Sequence, residues 1–105
     1  MNVLLDECLP RRLKRDLTGH MVKTVPEAGL SGVKNGKLLT AIEGAFDCFI
    51  TIDGNMQYEQ RLEGRGFAII VLHAVTNRYL DLAPLAPAIS LALANIASGD
   101  VLHLP

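Results

Sequence analysis

The chain has 105 residues, of which 50% are hydrophobic and 20% are charged, and this balance excludes an intrinsically disordered chain. Ten lysines and arginines against eleven aspartates and glutamates leave a formal net charge of −1, so bulk charge predicts no polyanionic partner and any nucleic-acid contact must come from a local basic patch. Two cysteines are too few for a disulfide framework, and their spacing matches no zinc motif. The length fits a single domain over residues 1–105.

The first half of the chain alternates between strand-like and helix-like segments. The apolar run at residues 3–5 predicts a buried strand, and residues 20–25 predict a second, short strand. Between them Pro10 suits the first turn of a helix, because its missing N–H has no partner there anyway. The predicted buried stripe of this helix repeats every four residues and consists of Leu9, Leu13 and Leu17.

The middle of the chain predicts a loop, a helix and a third strand. Residues 26–36 contain three glycines and predict the loop, with Asn35 as the cap of the helix that follows. The predicted apolar face of this helix consists of Leu38, Leu39 and Ile42. Residues 46–52 predict the third strand, and residues 56–62 a short helix.

The last part of the chain contains the clearest strand, an unbroken apolar run at residues 67–72. Such a run is typical of a strand whose two sheet faces are both covered. A long helical region follows, with Pro84 and Pro87 near its beginning, and residues 101–104 predict a last strand. Alternating strands and helices indicate a layered α/β domain with a mainly parallel sheet.

Acidic residues follow two of the predicted strands. Asp6 and Glu7 end the first strand, and Asp53 and Asn55 follow the third. In an open parallel sheet ligands bind beyond the carboxyl ends of the strands, and hard cations such as Mg²⁺ prefer oxygen ligands. We therefore predict Asp6, Asp53 and Asn55 as metal ligands, and Asp6, Glu7 and Asp53 as catalytic residues. The alternative is that each aspartate only caps a helix or forms a turn.

Basic residues cluster on the predicted first helix, away from its leucine stripe. Arg11, Arg12 and Arg15 face water in this arrangement and begin close to the acidic strand end. Such a patch can hold a phosphate backbone, so these arginines are predicted RNA contacts, together with Arg78 at the carboxyl end of a later strand. The alternative is an ordinary solvated helix face.

The opening of the chain resembles the start of small PIN-like proteins. Residues 3–13 read Val-Leu-Leu-Asp-Glu-Cys-Leu-Pro-Arg-Arg-Leu, and the motif of that family is a strand followed by Asp-Glu-Asn-Leu-Pro. The segments Ala-Gly-Leu at 28–30, Asn-Gly-Lys-Leu-Leu at 35–39 and Thr-Ile-Asp-Gly-Asn at 51–55 continue the resemblance over almost the whole chain. It implies a PIN-like three-layer sandwich, in which a central, mainly parallel sheet of four to five strands has helices on both faces.

The resemblance also implies a function and partners. PIN-like proteins include Mg²⁺- or Mn²⁺-dependent ribonucleases, and the VapC-like toxins among them pair with an antitoxin protein. Carried over by position, Asp6 and Asp53 match the metal-binding carboxylates of the family, and Glu7 matches the adjacent acid.

The chain departs from the family pattern at three positions, which leaves two alternatives to the nuclease. Asn35 and Asn55 stand where many relatives carry acids, and Cys8 replaces the usual asparagine. Fewer carboxylates weaken a divalent site, so a catalytically degenerate module that binds RNA or a protein is the second hypothesis.

The third hypothesis is a phosphoacceptor receiver domain, because the two acidic strand ends also resemble its acidic pocket. Receivers need a lysine after a late strand, and none follows Lys37.

The last helical region bears on location and oligomeric state. Residues 82–97 carry no charge, and a helix that is apolar all round either is buried or packs against another chain. We therefore predict a homodimer, or a contact with an antitoxin-like partner, through this region. Polar and proline residues interrupt the apolar stretch 80–99, so no membrane span is expected. With no signal-peptide pattern at residues 1–7 and few cysteines, the predicted location is the cytoplasm.

Overall fold

A single parallel sheet organises the computed structural model, which describes residues 1–54, 61–62 and 64–105. The sheet has the strand order β2-β1-β3-β4-β5, and all four pairs of neighbours are parallel. The strands are β1 (Asn2–Leu5), β2 (Met21–Thr24), β3 (Cys48–Thr51), β4 (Ala68–Leu72) and β5 (Val101–Leu104). The prediction of an α/β domain with a mainly parallel sheet is confirmed.

The central strands are buried on both faces because helices cover both. Every residue of β3 and β4 is buried, as the unbroken apolar runs predict. Successive side chains of each strand point to opposite faces and so contribute to two separate hydrophobic clusters. In β1, for example, Leu4 belongs to one cluster, whereas Val3 and Leu5 belong to the other.

One face of the sheet is covered by α1 (Asn35–Ile42). Its predicted apolar face is confirmed, because Leu38, Leu39 and Ile42 are all buried. The predicted cap is wrong by one residue: extended backbone at Lys34 precedes the helix, so Lys34 is the N-cap and Asn35 is the first helical residue.

The opposite face is covered by a 3₁₀ helix at Arg11–Asp16 and by a helical region near the end of the chain. The four-residue leucine repeat predicts an α-helix, but only Leu13 lies inside the tighter 3₁₀ segment; Leu9 precedes it and Leu17 caps it. All three leucines are buried nevertheless. The later region consists of three consecutive segments, which are α2 (Tyr79–Leu82), a 3₁₀ turn (Ala83–Leu85) and α3 (Ala86–Asn95).

Helix α3 buries only part of its apolar surface. Ile89 and Leu93 lie in the core, but Leu91 is 68% exposed. Leu91 and Leu102 of β5 line a groove of about 460 Å³. The homodimer or protein contact through residues 82–97 stays a prediction. Within the described residues, each helix is too short or too polar to span a membrane. The short helix predicted over residues 56–62 falls mostly outside the described residues.

Glu27 ties the 3₁₀ helix to the end of β2. Its carboxylate accepts hydrogen bonds from Lys14 Nζ at 2.8 Å and from the Thr24 backbone N–H at 2.9 Å, and the Glu27 N–H donates to Thr24 Oγ1. These donors favour the ionised carboxylate, with the Lys14 hydrogen bond first, and lower the pKa of Glu27 to about 2. The contact therefore anchors the loop that follows β2 while Glu27 is ionised.

Stability should fall in acid partly through Glu27. Because its pKa is lowered on folding, the contribution is complete above the usual value of 4.5 and is lost as pH falls towards 2. We expect urea-unfolding midpoints of Glu27→Gln to depend less on pH between 4.5 and 2 than those of the wild type. Glu43→Gln, which removes a carboxylate from a looser pair with Arg65 at 3.6 Å, is the control and should follow the wild type. Parallel curves for Glu27→Gln and the wild type would contradict the assignment.

Candidate functional site

The strand order reverses direction between β1 and β3. From β1 the chain passes to β2 on one side, and then to β3, β4 and β5 on the other. Ligands of open α/β sheets bind at such a switch point, in the crevice beyond the carboxyl ends of the strands. The two strands are in register through Leu5 and Ile50, and the Asp6 N–H donates to the Ile50 carbonyl at 2.9 Å. The backbone of Asp6 is therefore held at the edge of this crevice.

The crevice is an open cleft of about 490 Å³ that contains the predicted catalytic acids. Asp6, Glu7 and Asp53 all line it. The loop after β2 lines it through Gly32 and Lys34 among others, so an exposed lysine lies at the same cleft as the acids. The structure thus brings together three of the predicted site residues from two strand ends. Asn55, the fourth, lies outside the described residues.

Thr51 joins the two acidic strand ends. Its side chain is fully buried at the end of β3. The hydroxyl donates to Asp6 Oδ2 at 2.6 Å and accepts from the Asp53 N–H at 3.0 Å. The Glu7 N–H donates to the other carboxylate oxygen of Asp6 at 2.7 Å. These bonds hold the Asp6 carboxylate in one orientation. Sequence reasoning assigned no role to Thr51, although the Thr-x-Asp segment was the available signal.

Glu7 holds the loop that closes the far side of the cleft. Its Oε1 accepts a hydrogen bond from the Gly32 N–H at 3.1 Å, across 25 positions of sequence. Gly32 has a φ of 76°, a left-handed conformation that glycine adopts at little cost. The Glu7 carboxylate is therefore a loop tether as well as a cleft acid.

Cys8 also lines the cleft. Partial burial and then the nearby Asp6 carboxylate raise the pKa of the Cys8 thiol above its usual value. The acidic side chains that line the cleft contribute carboxylate oxygens.

These oxygens suit a hard divalent cation in their chemistry. Asp6 Oδ1 accepts from the Glu7 N–H and Asp6 Oδ2 accepts from the Thr51 hydroxyl. A carboxylate has about four lone-pair sites, so these two bonds leave room for a cation. Among the described residues no group of three or more His, Cys, Asp or Glu side chains is arranged to enclose a metal ion. Mg²⁺ seldom needs such an enclosure, since it keeps several waters and is commonly held by one or two carboxylates and the substrate phosphates. Asp6 and Asp53 carry carboxylates of the kind that this mode uses.

Basic residues adjoin the cleft on the 3₁₀ helix. Arg11 lines a smaller hollow of about 280 Å³ together with Asp6 and Glu7. Arg11, Arg12, Lys14 and Arg15 line a groove of about 520 Å³. The acidic cleft and the basic groove are therefore neighbours through Arg11.

Two of the predicted RNA contacts have particular surroundings. The Arg12 guanidinium lies over the Tyr79 ring, 4.2 Å from its centroid. The Tyr79 hydroxyl donates to Asp16 Oδ2 at 2.7 Å, and this bond raises the pKa of Tyr79. The stack holds Arg12, which lines the basic groove, against Tyr79. No local sequence pattern predicts the contacts of Tyr79, because Tyr79 lies 63 positions from Asp16. Arg78 precedes α2 and lines neither the groove nor the cleft.

Comparison with known proteins finds no relative: no family model, no curated protein and no solved structure matches this chain. The PIN-like resemblance stays an expectation from the motif residues. The candidate site of this chain consists of the acidic cleft and the basic groove beside it.

Replacing Thr51 tests the coupling of the two strand ends. Thr51→Val keeps the side-chain shape but removes the hydroxyl, leaving Asp6 Oδ2 and the Asp53 N–H without that partner. We expect the free energy of unfolding in urea to drop by about 1–3 kcal/mol. Thr51→Ser should retain most of the stability. The control, Thr40→Val, removes an exposed hydroxyl bonded to the Gly36 carbonyl and should change stability by less than about 0.5 kcal/mol. Equal losses in the two valine variants would refute the coupling.

Proposed function

We propose that this protein is a Mg²⁺- or Mn²⁺-dependent ribonuclease of PIN-like type. The observation that carries the proposal is that Asp6, Glu7 and Asp53 line one open cleft at the switch point between β1 and β3. The motif resemblance favours the same reaction. A parallel sheet with helices on both faces is compatible with the PIN-like sandwich that the resemblance implies.

Asp6 and Asp53 are the proposed cation ligands. When bound, the cation would polarise a phosphodiester and make bound water a better nucleophile. The chain's own contribution is orientation. Thr51 and the Glu7 N–H hold the Asp6 carboxylate from two directions, and the paired strands place Asp53 at the same edge. Glu7 additionally keeps the loop around Gly32 against the cleft.

RNA is the proposed substrate because the basic groove adjoins the cleft. Exposed arginines of the 3₁₀ helix can contact phosphates without reading bases, which is how nucleic-acid backbones are positioned. Arg11 lines both the groove and the hollow beside Asp6 and Glu7. A strand held along the groove would thus bring its next phosphates towards the acidic cleft. The net charge of −1 makes this local arrangement necessary.

Asp6→Asn and Asp53→Asn should each lower Mn²⁺-dependent cleavage of single-stranded RNA at least about 100-fold, because each removes a charge needed to hold the cation. The measurement is the initial cleavage rate of a mixed-sequence, end-labelled RNA with Mg²⁺ or Mn²⁺ and with EDTA. Circular dichroism checks that each variant is folded.

Asp47→Asn is the matched control for this experiment. Asp47 precedes β3 at the amino end of the strand, where its carboxylate accepts from the Asn2 N–H at 2.7 Å, and asparagine keeps an acceptor oxygen there. This variant should cleave at the wild-type rate. If wild-type protein cleaves no RNA with either cation, or if Asp6→Asn cleaves as well as wild type, the nuclease proposal fails.

A second candidate is a PIN-like module that binds RNA or an antitoxin-like protein without turnover. Two observations favour it. The carboxylates of Asp6 and Glu7 already serve hydrogen bonds within the protein, and asparagine occupies the first position of α1, where many PIN-like proteins carry an acid. The basic groove would persist in such a module, since it does not depend on a cation.

Arg15→Glu should weaken RNA binding about 10-fold or more under both hypotheses, because it reverses an exposed charge in the groove. Fluorescence anisotropy with a labelled single strand in EDTA gives the affinity, and its dependence on salt should become shallower. Arg61→Glu makes the same charge change at an exposed residue that lines a different hollow, with Glu43, and should bind RNA as the wild type does. Equal losses for the two variants would show that only net charge matters. Binding without cleavage would favour the second candidate.

A further inference from the structure

Two histidines meet at the carboxyl edge of the sheet, outside the acidic cleft. His73 directly follows β4, and His103 lies in β5, 30 positions later. His73 Nε2 lies 2.8 Å from His103 Nδ1. The ring centroids are 5.1 Å apart, and the ring planes are inclined at 31°. Both residues are exposed, so the pair is accessible from solvent.

The backbone under the pair is held by strand pairing. Strands β4 and β5 are parallel, with Val71 opposite His103 and Leu72 opposite Leu104. The His73 N–H continues the ladder by donating to the Leu104 carbonyl. The two Cα positions are therefore fixed by the sheet. The hydrogen bond between the rings would have to break before both of them could face one ion.

We propose that His73 and His103 form a two-histidine site for a borderline divalent transition-metal ion such as Zn²⁺. Imidazole nitrogens bind Zn²⁺ at about 2.0–2.1 Å, so two of them on one tetrahedral ion lie about 3.3 Å apart. The facing nitrogens are 2.8 Å apart, so they need to separate by only about half an ångström. Each ring also has to turn by about 35° so that both lone pairs point at one ion.

A zinc ion can replace the hydrogen bond between the two rings without any net release of protons. In the neutral, hydrogen-bonded pair, one of the two facing nitrogens carries a proton and the other accepts it. When the ion binds, that proton moves, through solvent, to the other nitrogen of the same ring. Both facing nitrogens then offer lone pairs, each ring stays neutral, and no proton is released.

The donor chemistry separates this site from the acidic cleft. Imidazole suits Zn²⁺, Cu²⁺ and Ni²⁺, whereas carboxylates suit Mg²⁺ and Mn²⁺. In the part of the chain that the structure describes, no third His, Cys, Asp or Glu joins the pair. The ion would therefore keep at least two positions for water or for a small external anion, one more than in catalytic zinc sites, which have three protein ligands.

Imidazole-resolved NMR with Zn²⁺ alone as the probe tests the proposal, because the chain has three histidines. Stoichiometric Zn²⁺ should shift the ring signals of His73 and His103 together and leave those of His20 unchanged. In the zinc-bound form His73 should be protonated at Nδ1 and His103 at Nε2, so one of the two rings should change tautomer and the other should keep its own. Failure of both signals to respond at millimolar Zn²⁺ would overturn the proposal.

Single variants separate chelation from binding by one ring. His103→Gln should weaken the response of His73 to Zn²⁺ about 10-fold or more, and His73→Gln should do the same to His103. Asp6→Asn and Cys8→Ser, which alter the cleft, should leave the response of the histidine pair unchanged. An unaltered His73 titration in His103→Gln would refute the shared site, even in a folded protein. Because the readout is independent of RNA cleavage, this test and that of the proposed function can fail separately.

Discussion

The parallel pairing of β1 with β3 is the constraint on which the candidate site depends. Its register places Leu4 opposite Phe49 and Leu5 opposite Ile50, and all four side chains are fully buried. Because both sheet faces are apolar, hydrophobic side chains alone do not select the register. Charged residues do: a slip by one residue would draw Asp6 or Asp47 from the strand ends into the sheet. A buried, uncompensated carboxylate is far costlier than any rearrangement of leucine contacts.

One of the two acids that limit the register, Asp6, also lines the cleft. Asp47 is held at the amino end by hydrogen bonds with the backbone of Asn2, and Asp6 is held at the carboxyl end by Ile50 and Thr51. The Thr51 hydroxyl needs partners because it is buried, and the acidic strand ends supply both an acceptor and a donor. Folding stability and the orientation of Asp6 therefore depend on one group.

Sequence reasoning predicts this architecture well where the signal is local. All five predicted strands occur, and the leucine stripe at 9, 13 and 17 is buried as predicted. Asp6 and Asp53 reach one cleft because Asp6 directly follows β1 and Asp53 follows β3 after one intervening residue. The strand order is not predictable in the same way, since short apolar strands carry no mark of their neighbours. The contacts that complete the site are likewise non-local: Glu7 meets Gly32 across 25 positions, and Tyr79 meets Asp16 across 63.

Local errors also have physical causes. The leucine spacing is compatible with an α-helix, but a leucine just before a short 3₁₀ segment and one just after it can be buried equally well. Lys34 replaces Asn35 as the N-cap because the helix begins one residue earlier, and cap positions depend on where the loop leaves the core. The meeting of His73 with His103 requires β4 and β5 to be neighbours, which neither histidine's surroundings in sequence indicate.

The strand order determines where on this fold a ligand can bind, and the side chains at that position determine which ligand it is. The order β2-β1-β3-β4-β5 is that of a common doubly wound sheet, for which the general rule places ligands in the crevice between β1 and β3. Here that crevice carries oxygen donors, whereas the ends of β4 and β5 carry imidazoles. Hard and borderline cations sort between such donor sets by ligand preference, since carboxylates hold Mg²⁺ and imidazoles hold Zn²⁺. One sheet edge can thus present two chemically distinct positions because adjacent parallel strands end together.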